Sequence, residues 1–322
     1  MRGMAPSRRG FGYALSVAAA LLAACGEPQP PGAMPQSPAL LAHAAHRGSW
    51  MTPNERGALL YVSDAVTHEV RVYSWPTLSH VGTLTGLKTP FGECVDASGN
   101  VWIVNTNASN LVRYAHGGTF AFKTLKDAGY FPNDCSVNPR NGDVAVANES
   151  AKGGGPGNIR IYKGGVDSPT TYKDPVLHSV TFLAYDADGN LFLDGKNSDG
   201  AFRMAKFKDG TFTPITISGA TIEVPGGVFS EGLALSVGDL RDRRGHAVVY
   251  QITDTGTVTS TTNTMSEVCA QYFIAGSAKE QKLICPNFRG PSVDIYDYPA
   301  GGTRIEHIKA GLEFPFGSVI SP

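Results

Sequence analysis

The sequence predicts an all-β fold, a six-bladed β-propeller over residues 57–322 that its own C-terminal strand closes. Three observations predict it. An alternating apolar segment ending in tyrosine recurs at Tyr73, Tyr114, Tyr162, Tyr250 and Tyr296, at steps of 41, 48, 88 and 46 residues, and a period of about 45 residues is that of a four-stranded blade. The longest step is a double one, with a degenerate copy inside it. Beside this phrase runs a second: an apolar strand, a polar turn with glycine, and another apolar strand. Finally, the chain stops on EFPFGSVISP, the opening of a phrase whose complete form is PFGECVDASGNVWIV at residues 90–104.

At the N-terminus, Arg2, Arg8 and Arg9 precede the apolar run YALSVAAALLAA, which leads into Cys25 and Gly26. Positive charge, apolar run and small residues follow the order of a secretory signal, and the run is too short to span a bilayer as a mature helix. Leu22, Ala23, Ala24 and Cys25 resemble the bacterial lipobox, which implies a lipoprotein signal peptide over residues 1–24 and a lipidated Cys25. Ser7, Arg8, Arg9 and Phe11 resemble the twin-arginine export signal, although Gly12 and Tyr13 depart from it, so both export routes stay open. In residues 25–56, Cys25 is followed by GEPQPPGAMPQSPA, too rich in proline and glycine to fold alone, and the segment reads as a tether. The stretch ALLAHAAHRGSWM then offers Trp50 and Met51 as anchors on the folded domain. The expected address is the bacterial cell envelope, through the lipid anchor. Gly26, where some bacteria carry an inner-membrane aspartate, favours the outer membrane or cell surface.

The domain opens on strand b of blade one, LLYVSD, continues with c as EVRVYSW and d as HVGTL, and meets its first strand a at Pro90. Blade two is complete, with a as PFGECVD, b as NVWIVN, c as LVRYA and d as TFAFKTL. In ECVDASGNVWIV, CSVNPRNGDVAV and FLAYDADGNLFL, Asp, Asn and Gly supply the left-handed or tight conformations of hairpin turns. FRMAKF, from Phe202 to Phe207, fills the place of the degenerate copy. The final PFGSVIS repeats Pro90, Phe91 and Gly92 as Pro315, Phe316 and Gly317, and supplies the inner strand that blade one lacks. Closure of this kind removes an exposed sheet edge.

Without the three signal arginines the chain carries 24 basic against 28 acidic residues. Phosphate binding needs a basic surplus, so nucleic acid is excluded as a partner. The 38 glycines and 21 prolines are spread between apolar runs, as many short strands and turns require. Besides Cys25, four cysteines remain, with three possible pairings. Cys94 and Cys135 occupy equivalent segments of neighbouring repeats and are the preferred disulfide; free buried thiols are the alternative.

Pro90, Gly92, Asp96, Gly99 and Asn100 fit the pattern P-x-G-x-x-x-D-x-x-G-N, which resembles the NHL repeat. The domain as a whole resembles the six-bladed propellers that include regucalcin and gluconolactonase. That likeness implies the fold; it implies no single function, because this architecture hosts binding platforms and enzymes alike.

In a propeller the a strands line the central channel. Their early positions here offer Glu93, Asn133, Asp134, Thr181, Glu231, Tyr272 and Ser318 as candidate ligand-binding residues. The likeness to gluconolactonase implies a possible divalent cation, calcium or zinc, held by Glu93, Asn133 and Glu231, which would polarise a lactone carbonyl. The bland reading is that these groups satisfy backbone donors at strand ends and that no cofactor is bound. There is no G-x-S-x-G elbow and no HExxH. GGGPG at 153–157 reads as a hairpin loop, and His116 and His178 read as isolated hydrogen-bonded residues. The favoured function is a monomeric, lipid-anchored binding or scaffolding module for an envelope protein, a peptide or a glycan. Phe91, Phe131, Tyr272 and Phe316 stand near its mouth or pack between blades. A metal-dependent, lactonase-like hydrolase is the alternative.

Overall fold

The computed structural model describes residues 57–231, 234–242, 244–277 and 279–322. The signal peptide of residues 1–24, Cys25 and the tether to residue 56 lie outside the described residues. What is described is a six-bladed propeller of 24 strands.

Blade one holds β1 (Leu59–Asp64), β2 (Glu69–Ser74) and β3 (His80–Leu84). Blade two holds β4 (Pro90–Val95), β5 (Val101–Asn105), β6 (Asn110–Tyr114) and β7 (Ala121–Lys126). In blade three are β8 (Tyr130–Val137), β9 (Val144–Ala151), β10 (Pro156–Tyr162) and β11 (Thr170–Tyr172). Blade four comprises β12 (Ser179–Tyr185), β13 (Leu191–Lys196), β14 (Phe202–Lys208) and β15 (Thr211–Ile215). Blade five comprises β16 (Pro225–Glu231), β17 (Ala234–Asp239), β18 (Val248–Ile252) and β19 (Val258–Asn263). Blade six comprises β20 (Phe273–Ser277), β21 (Glu280–Asn287), β22 (Ser292–Tyr298) and β23 (Glu306–Ile308). The last strand, β24 (Pro315–Ser321), pairs antiparallel with β1, Leu59 facing Ser321 and Val62 facing Ser318, and completes blade one from inside. Closure by the C-terminal strand is thus as the unfinished phrase predicts.

The b strands carry a device that the repeated phrases do not reveal. Each carries Asp or Asn in its second half, at the last position of four of them: Asp64, Asn105, Asn148, Asp194, Asp239 and Asn287, all nearly or fully buried. In three blades this side chain accepts backbone N–H groups from the segment that enters the blade's own inner strand, and in a fourth from within that strand. Asp64 takes Glu313 and Phe314 at 2.6 and 3.0 Å, Asn105 takes Lys88 at 2.5 Å, Asp194 takes Phe182 at 3.1 Å, and Asp239 takes Glu223 and Val224 at 3.1 and 3.0 Å. Buried donors that would otherwise go unpaired are satisfied in this way. Asp64 also accepts Val66 and Thr67, so a single carboxylate holds ring closure and the first turn together.

The tyrosines of the first phrase act similarly on strand c. Tyr162 donates its hydroxyl to Asp127 at 2.8 Å, and the Tyr296 hydroxyl lies 2.8 Å from Ser266; both partners belong to the loop leading into the tyrosine's own blade. Between blades the core is apolar. Tyr61, Val72, Ile103 and Val319 form one cluster, and fully buried Trp102 packs with Leu111, Val146 and the Cys94–Cys135 pair in the next.

The inner strands converge so closely that glycine is required on them. A Cβ on Gly317 would lie 2.5 Å from Phe91 O and 2.7 Å from Gln271 Oε1, and one on Gly92 would lie 2.5 Å from Asp134 Oδ1. This is the physical meaning of the repeated Pro-Phe-Gly. Overpacking a site bounded by backbone costs about 1–3 kcal/mol. We expect Gly317→Ala to lower stability by about that much in chemical denaturation, whereas Gly302→Ala, with nothing near its Cβ position, shifts it by no more than the cost of its positive φ, about 1 kcal/mol. Equal losses would contradict the convergence argument.

Candidate functional site

Along the axis the inner-strand side chains form three layers. At the end where the chain enters these strands, Phe91 stacks on Phe316 with centroids 4.1 Å apart and planes 12° from parallel. Phe182 lies 6.0 Å from Phe316, and Phe288 stacks on Phe314 at 4.4 Å. Phe91, Phe288 and Phe314 are partly exposed, while Phe182 and Phe316 are buried. Aromatic rings close this end.

The middle layer is polar and centred on Gln271, a residue of blade six just before β20. Its Oε1 accepts Glu93 N at 2.8 Å, and its Nε2 donates to Glu93 O at 2.6 Å and to Asp134 Oδ1 at 2.7 Å. Its backbone N donates to Phe316 O at 3.0 Å, and its carbonyl accepts Ser318 N at 3.2 Å. One residue therefore bonds to blades one, two and three across the axis. Ser63 adds a further tie, donating to Phe91 O and accepting Gly317 N at 2.8 Å.

Beyond this layer, at the end where inner strands leave into their a–b turns, a cavity of about 320 Å³ opens. Glu93, Ser136, Asp186, Phe229, Ser230 and Ser318 are among its lining residues. The candidate residues thus separate. Glu93 and Tyr272 line the cavity; Asn133 and Asp134 do not. Asn133 donates its side-chain amide to Thr181 O at 2.7 Å, and Asp134 accepts Cys135 N at 2.8 Å and Leu183 N at 3.0 Å besides Gln271. Tyr272 is buried, with its hydroxyl 2.9 Å from Ser236 Oγ. Phe131 sits on the rim of blade three under the Lys152 ammonium, 5.3 Å from the ring centroid. The side chain of Glu231 lies outside the described residues. Cys94 and Cys135 are joined by a disulfide between the inner strands of blades two and three, and Cys269 is joined to Cys285. His116 bonds to Ser321 Oγ at 2.6 Å and to Gly57 O at 3.2 Å, holding the two ends of the described chain side by side.

Three buried carboxyl groups surround the axis, and burial dominates each. It raises Glu93 well above the carboxylate range with nothing to oppose it. Asp134 is pushed up to about 8 by burial against the pull of the Leu183 and Cys135 amides. Asp194 is raised by burial, opposed by the Phe182 amide and reinforced by nearby Asp134. Neither oxygen of Glu93 has a hydrogen-bond partner among the described residues. As a metal centre the set fits poorly: Asn133 and Asp134 are occupied by internal bonds, and among the described residues no three His, Cys, Asp or Glu come together.

Sequence reasoning missed Gln271, whose segment AQYFIAG lacks the Pro-Phe-Gly phrase, and it placed the ligand mouth at the early ends of the a strands. Gly92, Gly227 and Gly317 let those ends approach within backbone contact and the phenylalanines fill what is left, so the open cavity lies at the other end. The repeated Pro-Phe-Gly itself was the available signal for closure.

No protein-family model and no curated protein sequence matches the chain. Solved structures do. A chain of a nidogen/laminin complex superimposes with a TM-score of 0.63 at 13% identity, covering 83% of this chain and 99% of that one. A functionally unknown protein from Desulfotomaculum acetoxidans matches with a TM-score of 0.58 at 12% identity, over 81% and 98% of the two chains. A protein of unknown function from Bacteroides caccae gives 0.56 at 11%, over 82% and 99%. At such identities the likeness is one of fold.

Carboxyl groups held protonated in the fold set the sign of the pH dependence. Unfolded, each loses its proton near pH 4; folded, Asp134 keeps its proton up to about 8. Between these values the folded state binds more protons, so stability is greatest at low pH and falls as pH rises, by up to about 1.4 kcal/mol per pH unit and group. We expect the melting temperature to fall from pH 5 to pH 8, and to fall less in Glu93→Gln. A rising profile in the wild type would contradict the assignment.

Proposed function

We propose that this protein is an envelope lipoprotein, anchored through Cys25 and a tether over residues 25–56, whose propeller is a binding or scaffolding module for a protein, a peptide or a glycan. The observation that carries the reading is the aromatic end of the axis. Phe91, Phe288 and Phe314 keep part of their surface exposed in a near-parallel stack framed by the loops of blades one, two and six. Stacked rings offer apolar contact without titratable or nucleophilic chemistry, the mark of a recognition surface. A propeller of this fold in a nidogen/laminin complex is a parallel for such a role.

Gly57, the first described residue, lies at the opposite end. Gly57 sits beside His116 and Ser321, and Ser321 in turn reaches Gly99 in the first a–b turn. An anchored molecule would therefore carry its aromatic end away from the attachment side. Kinship with NHL-repeat propellers belongs to the same proposal. Asp96 accepts the Ser98 and Asn100 amides of its turn, and Asp186 does the same for Asp188 and Asn190, so the D-x-x-G-N element has a turn-forming role in two blades. A lactonase-like site has less support, because Asn133 and Asp134 already serve the backbone.

Two measurements test the reading. Cys25→Ala should move the protein from the membrane fraction to the soluble exported fraction; retention in membranes would overturn the anchor. A photo-crosslinking residue at Phe288 should give a discrete adduct in intact cells, while one at Thr211 on the outer strand of blade four gives none. Identical adduct patterns from both positions would overturn the aromatic end as the binding surface.

A further inference from the structure

The cavity at the a–b turn end raises a question independent of the aromatic surface. Its lining contains two carboxyl groups, Glu93 and Asp186, and no lysine, arginine or histidine. An anion entering it would meet no opposite charge. Asp186 is occupied, both of its oxygens accepting from the turn at Asp188 and Asn190. Glu93 is not: 2% exposed, it has no partner for either oxygen. A buried polar group without a partner is costly and rare in folded proteins. The main chain of Glu93 is fixed beneath it, since Gln271 holds both its backbone N and its backbone O. The wall beside it is aromatic. Phe229 and Phe273 meet edge to face at 5.1 Å and 75°, and Tyr272 completes that side.

We propose that this cavity is a recognition site for a primary alkylammonium group, with Glu93 as its counter-ion and Phe229 and Phe273 as its apolar wall. The chemistry follows from the donor count. In the empty cavity burial keeps Glu93 protonated; an arriving cation displaces that proton to solvent, and the two carboxylate oxygens then call for a ligand that brings both positive charge and N–H donors, of which a primary ammonium carries three. A quaternary ammonium would gain cation–π attraction from the ring faces but would leave both oxygens unmet. A neutral alcohol would bring a donor without the charge. The volume, about 320 Å³, lies at the small end of ligand pockets and suits a short amine or one lysine side chain.

The test uses the full-length protein in detergent and isothermal titration with n-butylammonium, 1-butanol, butyrate and tetramethylammonium. Saturable one-to-one binding of butylammonium, at least tenfold tighter than the other three, is expected. Glu93→Gln should weaken butylammonium at least tenfold. Asp188→Asn, which removes an exposed charge near the same face and does not line the cavity, should leave binding within twofold. Should Glu93→Gln fail to fold, Ser230→Phe places a bulky ring at another lining position and must abolish binding. A blocked tripeptide with a central lysine distinguishes the source of the amine: tighter binding than butylammonium assigns a lysine of a partner, weaker binding a free small amine. The proposal is overturned if butanol binds as well as butylammonium, if both Glu93→Gln and Ser230→Phe bind the amine like the wild type, or if no amine saturates the protein.

Discussion

Six inner strands have to meet on one axis, and the way their crowding is resolved shapes everything else in this molecule. At one end the solution is to remove side chains: Gly92, Gly227 and Gly317 allow backbone to lie against backbone. In the middle it is to share one side chain. Gln271 serves as donor to Glu93 O and Asp134 and as acceptor for Glu93 N, while its backbone joins β24 on both sides. Buried backbone groups of blades one and two and the Asp134 carboxyl group of blade three find their partners at one residue, and their blades are fixed in angle around it. Networks of this kind are worth keeping only when complete, because a half-satisfied one costs more than an apolar core.

The asymmetry of the molecule follows. Closure by glycine and phenylalanine at the entry end leaves an aromatic surface there, and the space the ring cannot fill appears at the exit end as a cavity. Glu93 stands between the two, its backbone committed to the axial network and its carboxyl group left without a partner. The two ends therefore present different chemistries, one aromatic, the other concave and lined by the carboxyl groups of Glu93 and Asp186.

Much of the fold was legible in the sequence because propeller blades are local. Strands a to d of blade two, written as PFGECVD, NVWIVN, LVRYA and TFAFKTL, correspond to β4 through β7, and the degenerate FRMAKF is β14. The final PFGSVIS could be placed as β24 since it copies Pro90, Phe91 and Gly92. The b-strand Asp and Asn residues were in plain view at regular spacing, but their meaning depends on which amides they reach, and Asp64 reaches residues 249 and 250 positions away. The site was less legible for the same reason. Glu93 and Gln271 are 178 residues apart and share no motif, and whether an acid on an inner strand meets a cavity or a backbone amide is decided by packing across the axis. Position in the repeat could nominate Glu93 and Asp134 together; only the packed axis separates them.

The central claim is that Gln271 locks the axis, and amide hydrogen exchange tests it most directly. The account predicts that the amides of Glu93 and Ser318, one bonded to the Gln271 side chain and one to its carbonyl, exchange only through global unfolding, and that Gln271→Leu speeds Glu93 by orders of magnitude while the outer-strand amides of β15 keep their wild-type rates. Rapid exchange of Glu93 in the wild type, or uniform acceleration of all blades in the variant, would contradict it.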